Sequence, residues 1–371
     1  MATLAASEYP VVARAAQLDA DPWLLTVGNG TLDLRTGELR PHARDDLISK
    51  LSTVRYDQGA RSTLWERFLA TTTGDDAELA EFLQRLAGYT LTGDTSEKIL
   101  LFAHGPTATG KSTFLEAVKA ALGEHAATAD FETFLKRRGD AGIRNDIARL
   151  AGARMVVSVE VDDGKALAEG LIKTLTGGDT VAARFMYREH FEFTPRFKLW
   201  LAANHRPRVR ADDDAMWRRI VQLPFTHTLP ESERDPTLKA RFRNDPDIRA
   251  AVLAWAVQGC LEWQQRGLDI PACVRDYTEE YRRAEEYRRE NDPLAEWIAD
   301  ECQLGAEHWT ATKELRAAYE QWCMAAGAEP IDSKTGGWGA ALSQRGCKPG
   351  KSGGRRGWHG ITVTAGHLDI K

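Results

Sequence analysis

A phosphate-binding loop is the clearest chemical signal in the sequence. The pattern Gly-x-x-x-x-Gly-Lys-Ser is formed by Gly105, Pro106, Thr107, Ala108, Thr109, Gly110, Lys111 and Ser112. In this pattern the glycines turn backbone N–H groups toward phosphates, the lysine lies near the β and γ phosphates, and the serine hydroxyl can bind Mg²⁺. The apolar run before the loop predicts a strand, and the helical spacing after it predicts a helix N-terminus, which attracts anions. The sequence therefore predicts a nucleotide site that can hold Mg²⁺.

A carboxylate and an amide follow two later apolar runs. Residues 155–159 end at Glu160, the first candidate both for holding hydrated Mg²⁺ and for polarising the attacking water. Asp162 and Asp163 are alternatives for the metal, or else they cap the next helix. Residues 198–203 end at Asn204, whose neutral amide can hold the lytic water near the γ phosphate, or else only forms a turn.

Two adjacent arginines precede another apolar run. Arg218 and Arg219 stand just before residues 220–225, and that run contains no acid to neutralise them. An arginine that reaches the γ phosphate of a neighbouring subunit stabilises transition-state charge and makes hydrolysis depend on assembly. Surface ion pairing is the alternative role.

The elements that must position these residues follow from hydrophobic periodicity. Short apolar runs alternate with helical or loop segments, which predicts an α/β fold with a mostly parallel sheet. Turn signals near residues 28–30 predict a β-rich start, followed by two helices within 65–86. After residue 291, three helical runs and a β-ribbon ending in a strand at 360–364 suggest a winged helix. The predicted domains are residues 1–95, 96–230, 231–290 and 291–371.

A basic stripe lies near the C-terminus. It contains Arg345, Lys348, Lys351, Arg355 and Arg356, with no acid between residues 345 and 359. We expect Lys351, Arg355 and Arg356 to bind DNA from a wing, with Trp358 and His359 stacking or wedging at a groove. A disordered basic tail is the alternative.

Bulk composition limits the class of protein. The 371 residues are 43% hydrophobic and carry a net charge of −5, so any contact with nucleic acid must be a local patch. The five cysteines contain no Cys-x-x-Cys pair, which favours reduced thiols. No signal peptide or membrane-length apolar run is apparent. We expect a soluble protein without a membrane partner, located in the cytoplasm of a bacterial host or encoded by a virus.

In combination, the motifs resemble the superfamily 3 helicase core of the phage and plasmid primase-helicases, of the poxvirus type. The similarity covers roughly residues 20–370. It rests on residues 105–112, on Glu160, and on the segments at 21–25, 29–34, 171–179, 203–207 and 217–220.

The resemblance implies an AAA+-like P-loop ATPase core that forms a homo-hexameric ring and translocates along single-stranded DNA, usually 3′ to 5′. It makes residues 105–112 the Walker A loop, Glu160 the Walker B acid and Asn204 the first sensor, with Arg218 or Arg219 as the arginine finger. It also implies a channel hairpin at 181–197, with Tyr187, Arg188 and His190 near its tip; packing within the same subunit is the alternative. Lys173 either contacts phosphate or pairs with Asp179.

The expected function is therefore that of an ATP-dependent replicative DNA helicase of a phage, plasmid or integrated element, acting on single-stranded and forked DNA. A primase domain is not expected in this sequence, so priming would come from a separate primase or another replication protein, or else the sequence is a fragment of a longer protein. Two alternatives remain open: a P-loop kinase of small molecules, and a non-catalytic, ATP-gated initiator that binds DNA.

Overall fold

The computed structural model describes residues 17–136, 145–159, 165–184, 190–210, 213–331 and 337–364. The chain divides into two compact units, Met1–Val209 with Asp213–Glu280, and Arg210–Asp212 with Tyr281–Lys371. The four domain ranges predicted from the sequence are finer than this division and stay a prediction. Within the described ranges, no helix has both the length and the apolar character needed to cross a bilayer.

The first unit begins with a small antiparallel sheet, as the turn signals predict. Its strands are β1 (Leu24–Val27), β2 (Gly30–Asp33) and β3 (Glu38–Arg40). The side chain of Asn29, in the β1–β2 turn, both donates to the carbonyl of Tyr56 (2.9 Å) and accepts from its N–H (2.8 Å). This turn is therefore tied to the chain that leads into the first helix.

Two helices follow, and the second packs closely on a later helix. The first pair is α1 (Thr63–Thr73) and α2 (Ala77–Leu91), whose N-caps are the side chains of Ser62 and Asp76. A Cβ on Gly88 of α2 would lie 2.0 Å from the backbone N of Cys260, and one on Gly259 would lie 2.0 Å from the carbonyl of Gln84. Only glycine at both positions permits this approach of the two backbones.

Five parallel strands form the central sheet, in the order β10–β4–β9–β6–β5. Its strands are β4 (Leu100–His104), β5 (Ala126–Thr128), β6 (Met155–Val159), β9 (Lys198–Ala203) and β10 (Ile220–Pro224). In register, His104 lies opposite Ala203 and Val159 lies opposite Ala202. The carboxyl ends of β4, β9 and β6 therefore meet at one edge, and the predicted parallel α/β fold is confirmed.

The first unit also contains seven further helices and a separate two-stranded hairpin among its described residues. Four helices lie between the strands of the central sheet in the chain: α3 (Lys111–Leu122), α4 (Asn145–Ala148), α5 (Glu169–Gly177) and α6 (Asp214–Trp217). An antiparallel hairpin joins β7 (Val181–Arg184) to β8 (His190–Phe193). Three helices follow the sheet: α7 (Leu238–Asn244), α8 (Pro246–Arg266) and α9 (Ala272–Asn291), the last crossing the division between the units. Short 3-10 turns occur at Arg44–Asp46, Gly123–His125, Phe131–Phe134 and Glu231–Glu233.

The second unit has the helix–strand–helix–helix–strand–strand order of a winged helix. Its elements are α10 (Pro293–Glu301), β11 (Cys302–Ala311), α11 (Thr312–Ala326), α12 (Gly337–Gln344), β12 (Lys348–Ser352) and β13 (Arg355–Val363). The strands pair antiparallel in the order β11–β13–β12. Trp297, Tyr319 and Trp338 form the centre of its core. The predicted winged-helix character is confirmed, although the predicted strand at 360–364 covers only the end of β13.

Candidate nucleotide site and nucleic-acid surfaces

The phosphate loop joins the carboxyl end of β4 to the amino end of α3. Ala108 (φ 62°) and Gly110 (φ 89°) adopt left-handed backbone conformations, which lets the loop turn its N–H groups inward. Gly110 is also the N-cap of α3, and no side chain within the described residues caps this helix. The first N–H groups of α3 are therefore available to an anion.

Lys111 is buried inside the loop. Its ammonium donates to the carbonyls of Gly105 (2.6 Å) and Pro106 (2.5 Å), and to the hydroxyl of Thr109 (3.2 Å). Burial lowers the pKa of Lys111 below its usual range. The charge is thus held in place by neutral oxygens, which a phosphate can replace.

A cleft of about 790 Å³ opens above this loop. It is lined by loop residues, by Asn204 and His205 after β9, by Val159 at the end of β6, and by the segment after β5. The helix end, the lysine, the Ser112 hydroxyl and the amide therefore face one space. Their donor types fit a nucleoside triphosphate with Mg²⁺.

The two polar positions predicted after β6 and β9 have different outcomes. Asn204 lines the cleft together with the phosphate loop. Glu160, Asp162 and Asp163 lie outside the described residues, so their roles stay predictions. Val159, which immediately precedes Glu160 in the chain, does line the cleft.

Two acids that the motif pattern does not reveal also line the cleft. Asp130 and Glu132 follow β5. Asp130 accepts from the N–H of Glu132 (3.2 Å), and the Glu132 carboxylate lies 3.6 Å from the ammonium of Lys165. Because β5 has only three residues, its apolar run is too short to predict a strand, and the acids after it were not recognisable.

A polar network beside the loop connects β4, β10 and the segment after β9 with α9. His104, the last residue of β4, shares a 2.7 Å hydrogen bond with the hydroxyl of Tyr277. The guanidinium of Arg206 lies 5.0 Å from the Tyr277 ring centroid and 2.9 Å from the carboxylate of Glu280. Arg206 also donates to Gln222 of β10 (3.2 Å). Burial, together with the charges of Arg206 and Lys111, lowers the pKa of His104 to about 4.

Arg218 and Arg219 lie at the opposite edge of the sheet from the phosphate loop. The carbonyl of Arg219 accepts from the N–H of Leu100, at the start of β4, whereas the loop follows the end of that strand. Arg218 is exposed, and its Nε donates to the carbonyl of Asp214 (3.3 Å). Arg219 is half-buried, and its guanidinium donates to the carbonyl of Ala215 (2.7 Å).

Lys173 pairs with Asp213 instead of Asp179, and its expected contact with phosphate stays a prediction. Its ammonium lies 2.6 Å from Asp213, not at Asp179. Asp213 is the N-cap of α6, where it accepts from the N–H of Met216 (3.0 Å). Burial alone would raise the pKa of Asp213, but the bonds from Lys173 and Met216 lower it below its usual value. Lys173 therefore supports the short helix that precedes the two arginines.

The predicted hairpin is present as β7 and β8, and its place in a channel stays a prediction. Tyr187 and Arg188 lie outside the described residues. His190 is the first residue of β8, opposite Arg184 in the register. The tip contacts therefore stay predictions.

The residues of the basic stripe differ in exposure and in ion pairing. Lys351 and Arg356 are exposed and directly opposite each other, whereas exposed Arg355 is ion-paired with Glu314. Arg345 does not contribute a free charge, because it binds Asp292 at 2.6 Å and the carbonyl of Ala341 at 2.8 Å. The expectation that Trp358 stacks on DNA is wrong, because its side chain is buried in the core of this unit.

Comparisons with known proteins confirm the resemblance found in the motifs. A family described as "D5 N terminal like" matches residues 1–74, and a family of unknown function, DUF5906, matches residues 103–219. The protein named "Putative helicase L207/L206" of Acanthamoeba polyphaga mimivirus is 28% identical over 72% of this chain and 30% of its own length. The protein named "Putative primase C962R" of African swine fever virus is 23% identical over 82% of this chain and 34% of its own length.

The chain thus spans about a third of the length of these curated relatives. Among solved structures, the apo C-terminal region of NrS-1 has a TM-score of 0.44 and 15% identity, over 84% of this chain and 78% of that one. The matches to curated sequences relate the chain to viral proteins named as helicases and primases.

Proposed function

We propose that this relative of the D5-type helicases and primases is an ATP-dependent DNA helicase, acting with Mg²⁺ as a homo-hexamer. The observation that carries the proposal is the separation of two half-sites. Lys111 and Asn204 line one cleft, whereas Arg218 and Arg219 lie across the sheet. Five strand residues at roughly 3.3 Å each separate the two edges by about 16 Å.

This separation favours a nucleotide site shared between subunits. An arginine at the far edge cannot contact a γ phosphate bound by its own chain, but it can meet the loop of a neighbour in a ring. A monomeric small-molecule kinase would complete its site within one chain. The proposal therefore prefers the assembled ATPase over the kinase.

Each residue then has a defined task. Lys111 and the N–H groups at the start of α3 bind the phosphates, and Ser112 with Glu160 would hold Mg²⁺, with Asp162 or Asp163 as alternatives. When bound, Mg²⁺ neutralises phosphate charge. Asn204 orients the attacking water, Glu160 polarises it, and Arg218 or Arg219 stabilises charge on the neighbour's γ phosphate.

The DNA contacts of the proposal lie on two hairpins. Tyr187, Arg188 and His190 of the β7–β8 hairpin would grip single-stranded DNA in the ring channel, with translocation from 3′ to 5′. Lys351, Arg355 and Arg356 of the wing would bind DNA phosphates outside it. We further propose that a separate primase or other replication protein acts with this chain in the host cytoplasm.

The test is ATP hydrolysis and strand separation by the purified protein. We expect single-stranded DNA to stimulate hydrolysis and forked DNA to be unwound. Lys111→Ala should abolish both, because it removes the buried ammonium from the loop. ATP binding without turnover would favour the ATP-gated initiator, and phosphoryl transfer to a small molecule by a monomer would favour the kinase.

A further inference from the structure

The outer face of the wing sheet carries two aromatic rings that lie on bare backbone. Trp309 of β11 and His359 of β13 are directly opposite each other in the register, as are Gly350 of β12 and Gly357 of β13. Trp358, next to His359, points into the core. Because strand side chains alternate, Trp309, His359 and Gly357 face away from that core.

Glycine is required beneath both rings. A Cβ on Gly357 would lie 2.4 Å from the carbonyl oxygen of Thr310 and 2.6 Å from the Trp309 ring, and a Cβ on Gly350 would lie 2.5 Å from the His359 ring. Glycine weakens a strand interior, and its presence there often marks a close approach. The facing glycine pair lets both rings lie down on the sheet, and we call the four residues Trp309, Gly350, Gly357 and His359 the wing platform.

Cations flank the wing platform. Lys348 lies directly opposite His359, and the Arg355 guanidinium lies 6.0 Å from the Trp309 ring centroid. Both basic side chains are exposed, as is His359. Glu314 pairs with Arg355 and offsets part of this charge. Flat rings between cations match the chemistry of single-stranded nucleic acid, whose bases stack while its phosphates bind the charges.

The helix before the wing is poorly suited to reading duplex DNA. Helices that enter a major groove read bases chiefly with arginine, lysine, asparagine or glutamine. The sequence of α12 is Gly-Trp-Gly-Ala-Ala-Leu-Ser-Gln, without a cation. Trp338 and Leu342 are buried, and the exposed polar side chains are confined to Ser343 and Gln344 at its C-terminal end. The available chemistry therefore lies on the sheet face and suits unpaired bases.

We propose that the wing platform binds single-stranded DNA, stacking an unpaired base on Trp309 and His359 while Lys348 and Arg355 hold adjacent phosphates. The proposal deepens the proposed helicase function and rests on it for the choice of DNA as ligand. It does not require ATP hydrolysis. The platform would hold an exposed strand outside the proposed ring channel.

The test compares two oligomers of equal length and charge, one of thymidine and one abasic. In the nucleotide-free chain of 371 residues we expect the thymidine oligomer to bind about tenfold more tightly, the effect of a stacked base. Trp309→Ala should reduce this preference several-fold, whereas Trp309→Phe should retain most of it. Lys348→Ala should weaken both oligomers equally and lower the salt slope by about one.

Photocrosslinking locates the base and excludes the channel hairpin. An oligomer carrying 5-iodouracil should crosslink to the peptide that contains Trp309 or His359. Gly350→Val should strongly reduce the crosslink to His359 while every charge remains, because the new side chain would meet only the imidazole and displace it. Near-ultraviolet circular dichroism confirms that each variant is folded.

Several results would overturn the proposal. Crosslinks confined to residues 181–193 would do so, as would an unchanged preference of Trp309→Ala for the thymidine oligomer. A loss of duplex binding in Trp309→Ala equal to its loss of single-strand binding would also do so. Tighter binding of a uridine oligomer than of the thymidine oligomer would contradict the choice of DNA as ligand. The lack of ATPase activity in the wild type would instead contradict the helicase function alone. The two failures are therefore distinguishable.

Discussion

Lys111 and Asn204 line the same cleft, but their side chains suit different tasks: Lys111 suits phosphate binding, and Asn204 suits the hydrolytic step. Lys111 is already inside the loop, on the carbonyls of Gly105 and Pro106, so phosphate binding exchanges neutral acceptors for charged ones. Asn204 has no charge to attract a phosphate, and its amide suits the orientation of water. Loss of Lys111 should therefore affect binding and turnover, whereas loss of Asn204 should affect turnover.

Asn204→Ala tests this distinction. We expect the kcat for ATP to fall about 100-fold, which is typical for loss of one positioned polar group, with KM within about twofold. Steady-state ATPase assays with saturating single-stranded DNA measure both constants. A raised KM with unchanged kcat would assign Asn204 to nucleotide binding instead.

Two buried imidazoles predict a pH dependence of stability. The pKa of His104 falls to about 4 and that of His125 to about 2, in both cases mainly through burial. At pH values between these folded pKa values and the unfolded pKa near 6.5, the unfolded chain binds more protons than the folded chain. The folded state therefore becomes less stable as the pH falls through this range. For His125 the free energy of unfolding falls by up to about 1.4 kcal/mol for each pH unit below about 6.5.

Thermal unfolding at pH 7 and pH 5 measures this effect. The midpoint should be lower at pH 5, and His125→Gln, which does not titrate, should reduce the difference. Equal midpoints for the wild type at the two values would contradict neutral burial of these side chains.

Functional residues were predictable from the sequence where they are consecutive, and they were not predictable where they meet only through folding. The phosphate loop is eight consecutive residues, and its pattern alone indicates the site. His104 and Tyr277 are 173 positions apart, so their hydrogen bond depends on how α9 packs. Similarly, Lys173 binds Asp213 because α5 lies near α6, although Asp179 is closer along the chain.

Elements were predictable in proportion to the strength of their apolar pattern. The runs that form β4, β6, β9 and β10 are long and buried, so their strands were evident from the sequence. The wing strands β12 and β13 are rich in glycine and cations, and they form through pairing in the folded unit. The wing platform therefore depends on a register that the sequence pattern did not indicate.

The contact between α2 and α8 yields a prediction at the level of elements. Gly88→Ala should lower the thermal midpoint substantially, because the new methyl group would overlap the backbone at Gly259 and Cys260. We expect a loss of about 1–3 kcal/mol. Gly170→Ala is the matched control, since nothing lies within 4 Å of the new Cβ in α5. Similar destabilisation by both substitutions would contradict close packing at Gly88.

At the scale of the whole molecule, the proposed ATPase depends on geometry beyond one chain. The phosphate loop and the arginine pair occupy opposite edges of the same sheet, and the short helix α6 holds the arginines there. Arg218 is exposed, whereas Arg219 is half-buried and bound to the carbonyl of Ala215. Arg218 is therefore the better candidate for contact with a neighbouring subunit.

Mixing two inactive variants tests this arrangement. Lys111→Ala lacks the lysine of its own loop, and Arg218→Ala lacks the arginine offered to a neighbour, so each should hydrolyse ATP at least 100-fold more slowly. In a mixed ring, an Arg218→Ala subunit supplies an intact phosphate loop and a neighbouring Lys111→Ala subunit supplies an intact arginine, so the two together form a complete site. About a quarter of the sites in an equal random mixture have this arrangement, so ATPase activity should partly return. Mixtures that stay as inactive as the separate variants, while light scattering shows mixed rings, would contradict shared sites.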